Sequence, residues 1–207
     1  MQRIRIHYTK NDQLRYTGTL DIQKVWERTF RRANVKLAFS QGFHPQPKMQ
    51  MACPLPLGFT SKVEKLDIWL DNEISPDDLK QTLDQVIQPG IDITSCEEVD
   101  LSLPALQKII QSIRYLATVP TQYSETELKE KINQILAKTN IFRVRRDKSY
   151  DLRTKILELS LITVEEKSIV SILLTAQISS TGRPEEVLIE MGIDPNDCKI
   201  ERVELVF

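Results

Sequence analysis

The chain has 207 residues, is 41% hydrophobic and 6% aromatic, and carries a formal net charge of -1 at pH 7. That is enough chain for one large or two small packed domains, and the balance is that of an ordinary globular protein. Three cysteines, Cys53, Cys96 and Cys198, lie far apart in no CxxC or CxxH setting. They offer no disulfide framework and read as reduced, structural thiols.

The charges cluster by region. Met1 to Lys48 holds ten Lys and Arg against three acids, whereas Glu64 to Asp100 holds eleven acids against Lys65 and Lys80. Met1 leads into alternating Arg and Ile, neither a leader nor a transit peptide, and no apolar run nears the roughly 20 residues of a membrane span. The protein is expected in the cytoplasm and away from membranes.

Arg3 to Tyr8 alternates basic and apolar residues, the pattern of a half-buried strand with Ile4, Ile6 and Tyr8 facing a core. Thr19 is placed to cap a helix whose Ile22, Val25, Trp26, Thr29, Phe30 and Ala33 recur at helical spacing. Lys24, Arg28, Arg31 and Arg32 fall on the opposite face, within roughly a 100° arc at 3.6 residues per turn. Charge runs of this kind are usually solvated faces; with little acid between these cations, the stripe is also a candidate anion site.

Ser40-Gln41-Gly42-Phe43-His44-Pro45-Gln46-Pro47-Lys48 follows, a loop stiffened by two prolines. Stiffness suits a connector, but Gln41, His44 and Lys48 supply more polar tips than a connector needs, which favours a binding loop. Strand patterns return at Lys48–Ala52 and Val63–Leu70, Ser75-Pro76-Asp77-Asp78 starts a second helix, and Ile91-Asp92-Ile93 opens another strand. Strand, helix, strand, strand, helix, strand is the order of a ferredoxin-like split βαβ unit. In it the first and third strands would lie side by side and present Arg5 and His7 beside Lys65 and Trp69, an RRM-like array if open, an interface if packed.

Leu101 to Leu106 reads as a linker, after which the order repeats. Strands are expected at Ile113–Val119, Ile141–Arg145, Ile156–Thr163, Ile169–Ile178 and Ile200–Phe207, with helices begun by Ser124-Glu125-Thr126-Glu127 and by Arg183-Pro184-Glu185-Glu186. The chain is therefore read as α+β, two ferredoxin-like units in tandem with antiparallel sheets backed by helices, one over 1–100 and one over 107–207. Arg143, Arg145, Arg146, Lys148 and Arg153 form a second basic cluster, with Arg183 beyond it.

No Walker loop, GxGxxG or GxSxG occurs, and with two histidines far apart a His-based triad or metal cluster has little to draw on. His44 is the one weak candidate for a general base, and a hydrogen-bonded loop histidine is the commoner case. Neither a metal nor a cofactor is expected.

Leu20-Asp21, Glu27-Arg28, Arg31-Arg32-Ala33, the stretch Phe39 to Lys48, Pro54-Leu55-Pro56-Leu57-Gly58, Asp151-Leu152-Arg153 and Thr181 to Leu188 together resemble the radical SAM-associated (radical SAM-linked) protein family. The resemblance implies a domain encoded beside, or fused to, a cobalamin-type radical SAM protein, often near ribonuclease E/G genes; it implies a context and no mechanism. Two departures stand out. Thr19 and His44-Pro45-Gln46-Pro47 occupy places where the family often has His and Asn-Pro-His-Pro, so catalysis that needed those histidines would be missing here. The chain also lacks the CxxxCxxC cysteines that would hold an iron–sulfur cluster of its own.

The expected function is a non-catalytic accessory protein that binds RNA such as tRNA or rRNA, or presents it to a separately encoded radical SAM enzyme. Its contacts would come from Arg28, Arg31, Arg32, Gln41, His44, Lys48, Arg143, Arg145, Arg146, Arg153 and Arg183. The alternatives are a protein-interaction subunit that docks on the radical SAM protein without RNA, and a metal-independent ribonuclease using His44.

Overall fold

A computed structural model describes residues 1–145, 147–177 and 180–207. The chain divides into two compact units, Met1–Ile109 and Ile110–Phe207.

Unit 1 runs β1 (Gln2–Lys10), α1 (Thr19–Arg32), β2 (Met49–Met51), β3 (Thr60–Leu70), α2 (Pro76–Asp84), β4 (Ile91–Glu98) and a single helical turn, α3 (Leu106–Ile109). Its antiparallel sheet has the order β2-β3-β1-β4, the ferredoxin-like arrangement. Alternation in β1 buries Ile4, Ile6 and Tyr8 against the helices. On α1 the apolar stripe buries Ile22, Trp26 and Phe30, and Trp26 packs edge-on to Tyr8 and parallel to Phe30 at centroid distances of 5.0 and 5.6 Å. Ser75 caps α2 by accepting from the Asp78 amide, with Pro76 in the first turn.

Two details of unit 1 differ from the sequence reading. Gly18, not Thr19, is the N-cap of α1; the Thr19 hydroxyl donates instead to the Leu55 carbonyl. The expected linker Leu101 to Leu106 belongs to unit 1: the carbonyls of Leu103 and Pro104 accept from the buried Arg3 guanidinium at 2.6 and 3.2 Å, and Leu106 already opens α3.

Unit 2 runs β5 (Ser112–Thr118), α4 (Glu125–Ala137), β6 (Phe142–Arg145), β7 (Lys148–Asp151), β8 (Ile156–Val164), β9 (Lys167–Gln177), β10 (Ser180–Thr181), α5 (Pro184–Glu190) and β11 (Lys199–Val206). Its sheet order β8-β9-β5-β11 is again ferredoxin-like and antiparallel, with β10 paired to the end of β9. The β8–β9 hairpin closes on Glu165 and Glu166, both at positive φ (47° and 63°), as a two-residue turn matched to strand twist requires. Ser124 caps α4 by accepting from the Glu127 amide. The sequence reading missed β7, which pairs with β6 as a separate ribbon inserted between α4 and β8.

Candidate functional site

Helix α1 ends in a way that shapes the surface beside it. Asn34 takes a left-handed conformation (φ 54°), its amide donates to the Arg31 carbonyl, and the Val35 amide reaches back to Phe30 at 2.9 Å. This pair of bonds closes the helix and folds Val35 onto Phe30. The chain then turns along the edge of β3: the Ala38 amide donates to Trp69, the Trp69 amide to Lys48, and the Lys48 amide to Ala38.

From that edge the proline loop projects as a short hairpin. Its base is closed twice at Ser40, whose amide donates to the Gln46 carbonyl and whose hydroxyl accepts from the Gln46 amide at 2.9 Å. Phe39 and Pro47 pair across it. Gly42, at φ 128°, supplies the bend that a side chain resists. Every residue from Gln41 to Gln46 is exposed, and Phe43 at the tip is wholly so, at 101%.

Between the end of α1 and the base of this hairpin lies an open groove of about 480 Å³. Phe30, Val35, Leu37, Phe39 and Pro47 form its apolar part; Arg31, Lys36, Glu27 and Asp71 supply its charges. Phe39 keeps 52% of its surface open. Of the residues singled out from sequence, Arg31 lines this groove, Arg28 sits one turn back on the same helix, and Lys48 is at the hairpin base. Gln41 and His44 are on the tip. Lys36 and Asp71 have no named place in the sequence reading, and Glu27 and Phe39 enter it only within the motifs of the family resemblance, not as site residues. The signal that could have found them is Asn34, a residue tolerant of left-handed backbone directly after the helical pattern, which marks where the chain folds back.

The cations fare unequally. Arg32 donates to the Val86 carbonyl at 2.8 Å and so ties α1 to the end of α2, while Lys24 lies 4.0 Å from Asp21. Arg28 and Arg31 are exposed and make no ion pair among the described residues. On the sheet, the array of Arg5, His7, Lys65 and Trp69 is not an open cationic platform. Fully buried Asp67 accepts from Arg3 and Arg5, Glu97 lies 2.9 Å from His7, and the Arg3 guanidinium covers Trp69 at 5.0 Å. Burial first, then the neighbouring Arg5 charge, lowers the Lys65 ammonium pKa.

In unit 2 the second basic cluster is largely committed to structure. Arg143 and Lys138 both bind Glu190, Arg145 stacks over Tyr150 and donates to the Thr181 carbonyl, and Arg153 reaches the carbonyls of Ile156 and Leu136. Arg183 is exposed before α5, and Arg146 lies outside the described residues. Burial, then the Glu186 carboxylate, pushes the Tyr150 hydroxyl up to about 12, and burial also raises the Glu185 carboxyl. Among the described residues no group of three or more His, Cys, Asp and Glu side chains is placed to hold a metal ion, and no helix is long and apolar enough to cross a membrane.

Residues 3–184 match the family described as uncharacterized protein conserved in bacteria, DUF2344. The chain belongs to that family. No curated protein matches it. Among solved structures it is similar to a Cbf5-Nop10-Gar1 complex, at 7% identity over 96% of this chain and 48% of that one, with a TM-score of 0.48. It is also similar to an unknown protein from Galdieria sulphuraria, at 13% identity over 100% and 99% of the two chains, with a TM-score of 0.29. The chain thus spans about half the length of the first of these, and neither likeness bears on what this DUF2344 member does.

Proposed function

We propose that the protein is a non-catalytic RNA-binding accessory subunit, contacting single-stranded RNA phosphates through α1 and the adjoining hairpin of unit 1. The observation that carries this reading is the pairing of Arg28 and Arg31. They sit three residues apart on one exposed helix face, where side chains are neighbours. They keep their charge for an outside partner while Arg3, Arg5, Arg32 and Arg143 are bound within the fold. Lys36 and Lys48 add cations nearby. The sequence resemblance supplies the setting, in which the bound RNA is presented to a separately encoded cobalamin-type radical SAM enzyme in the cytoplasm.

The test is RNA binding as a function of salt in the intact protein. Each phosphate contact to a single strand contributes a slope of about 0.7 in log K against log salt. Arg28→Glu with Arg31→Glu should weaken binding at low salt and make that dependence shallower by about 1.4. Unchanged affinity in the folded double variant removes the helix from the interface.

A second reading has one observation in its favour. Phe43 is an apolar ring held fully in solvent on a stiff hairpin, which suits an anchor for a protein partner. Capture of the radical SAM protein that is lost in Phe43→Ser, while RNA fails to bind, would favour a docking subunit.

A further inference from the structure

The groove beside α1 has chemistry that phosphate contacts alone leave unused. Its volume of about 480 Å³ falls within the roughly 300–1,000 Å³ range of sites for small organic ligands. One wall carries Phe39, a half-exposed residue whose backbone is held by the pairing with Pro47 and by the Ser40–Gln46 bonds just beyond. An aromatic residue half open to solvent on a tethered backbone offers a surface for stacking, since every nucleobase has a π-face and unpaired bases are read by stacking on such rings.

The charges in the groove have both signs, and that constrains what can sit there. Arg31 and Lys36 make no ion pair among the described residues and would hold phosphates. Glu27 and Asp71 would repel phosphates, but a carboxylate accepts hydrogen bonds from N–H groups. One oxygen of Glu27 accepts from Gln23 at 3.2 Å, which leaves the other, and Asp71 is exposed with no partner among the described residues. A ligand suited to all of these has a flat aromatic body, N–H donors on one edge and an anion on its stem. That is a nucleotide, and the base with two adjacent donors for a single carboxylate is guanine.

We propose that this groove takes one unpaired guanine of the bound RNA, stacked on Phe39, with Asp71 or Glu27 accepting from its edge and Arg31 and Lys36 on the flanking phosphates. The proposal rests on the RNA reading above and adds to it a position and a base. It involves no covalent step.

The experiment compares the intact protein's affinity for two labelled single-stranded hexanucleotides at low salt: oligouridine, and the same strand with one central guanosine. The guanosine strand should bind about tenfold more tightly, and Phe39→Ala should remove that advantage while Phe39→Trp keeps it. Asp71→Asn with Glu27→Gln should shrink the guanine preference without lowering affinity for oligouridine. Should Phe39→Ala fail to fold, the exposed carboxylate variants decide the question by themselves. If both strands bind equally and Phe39→Ala changes nothing while Arg28→Glu still weakens binding, the RNA reading stands and the guanine site is overturned. If neither strand binds the wild type, both fall together.

Discussion

Arg3 and Asp67 meet inside unit 1: Nη2 of the arginine donates to Oδ2 of the carboxylate at 2.6 Å, and neither side chain is more than 1% exposed. The same carboxylate accepts from Arg5 Nε at 2.8 Å through its other oxygen. Asp67→Ala would leave Arg3 buried with its charge uncompensated, a loss of roughly 3–5 kcal/mol. Urea unfolding of the variant measures it, and a loss below about 1 kcal/mol would show that water reaches the guanidinium. The variant should also loosen residues 100–104, whose carbonyls depend on Arg3 being held in place.

The core of the same unit can be tested at Trp26, which is fully buried between Tyr8 and Phe30. Trp26→Ala should cost roughly 3–5 kcal/mol by transfer and cavity terms together. A small loss in equilibrium unfolding would mean that α1 can rotate about its axis, and the outward placement of Arg28 and Arg31 would then be lost as well.

Asn34 offers a finer test of the groove's backbone. At φ 54° an ordinary L-residue pays about 1–2 kcal/mol, which glycine escapes. Asn34→Gly should therefore hold or raise the melting temperature, and Asn34→Val should lower it. If the order is reversed, the left-handed closure is not what fixes the end of α1.

Two carboxylates of unit 2 predict opposite responses to pH. Backbone donation from Ile141, then the Asn140 amide, holds the Asp151 carboxyl below its ordinary value of 3.8. Its stabilising effect is therefore complete above about 3.8 and disappears as pH falls through the lower folded value. Asp151→Asn should flatten the acid limb of the stability curve; an unchanged limb would mean that the β6–β7 ribbon does not depend on this charge.

Glu185 runs the other way. Burial raises its carboxyl above 4.5, so the folded state favours the proton and loses stability as pH rises through the shifted value. Glu185→Gln is expected to melt higher than wild type at pH 7 and to lose that advantage as pH approaches 4.5. A variant that melts lower at every pH would show the ionised form to be satisfied where it stands.

Much of this architecture is legible in the residues. Alternation in β1, the stripe from Ile22 to Phe30, and the caps at Ser75 and Ser124 are local signals, and local geometry honours them. β7 left no such signal, because Lys148-Ser149-Tyr150-Asp151 is polar and held by pairing with β6 rather than by a buried face. The fate of the charges was less legible still. Arg3 and Arg5 are paired with Asp67, and Arg143 with Glu190, across 47 to 64 positions in sequence, so counting charges by region cannot see the pairing. The groove was hidden for a related reason: its walls come from four separate segments, and Phe39 in a loop sequence carries no mark of being held open.

Both tryptophans of the chain, Trp26 and Trp69, fall in unit 1, one sealed between two rings and the other beneath the Arg3 guanidinium. Intrinsic indole emission is therefore an optical label built into one half of the molecule. Far-ultraviolet dichroism registers strands and helices from both halves alike. Followed together through a single denaturation, the two signals separate if the halves lose structure at different points and superimpose if they do not, with no substitution or attached dye needed.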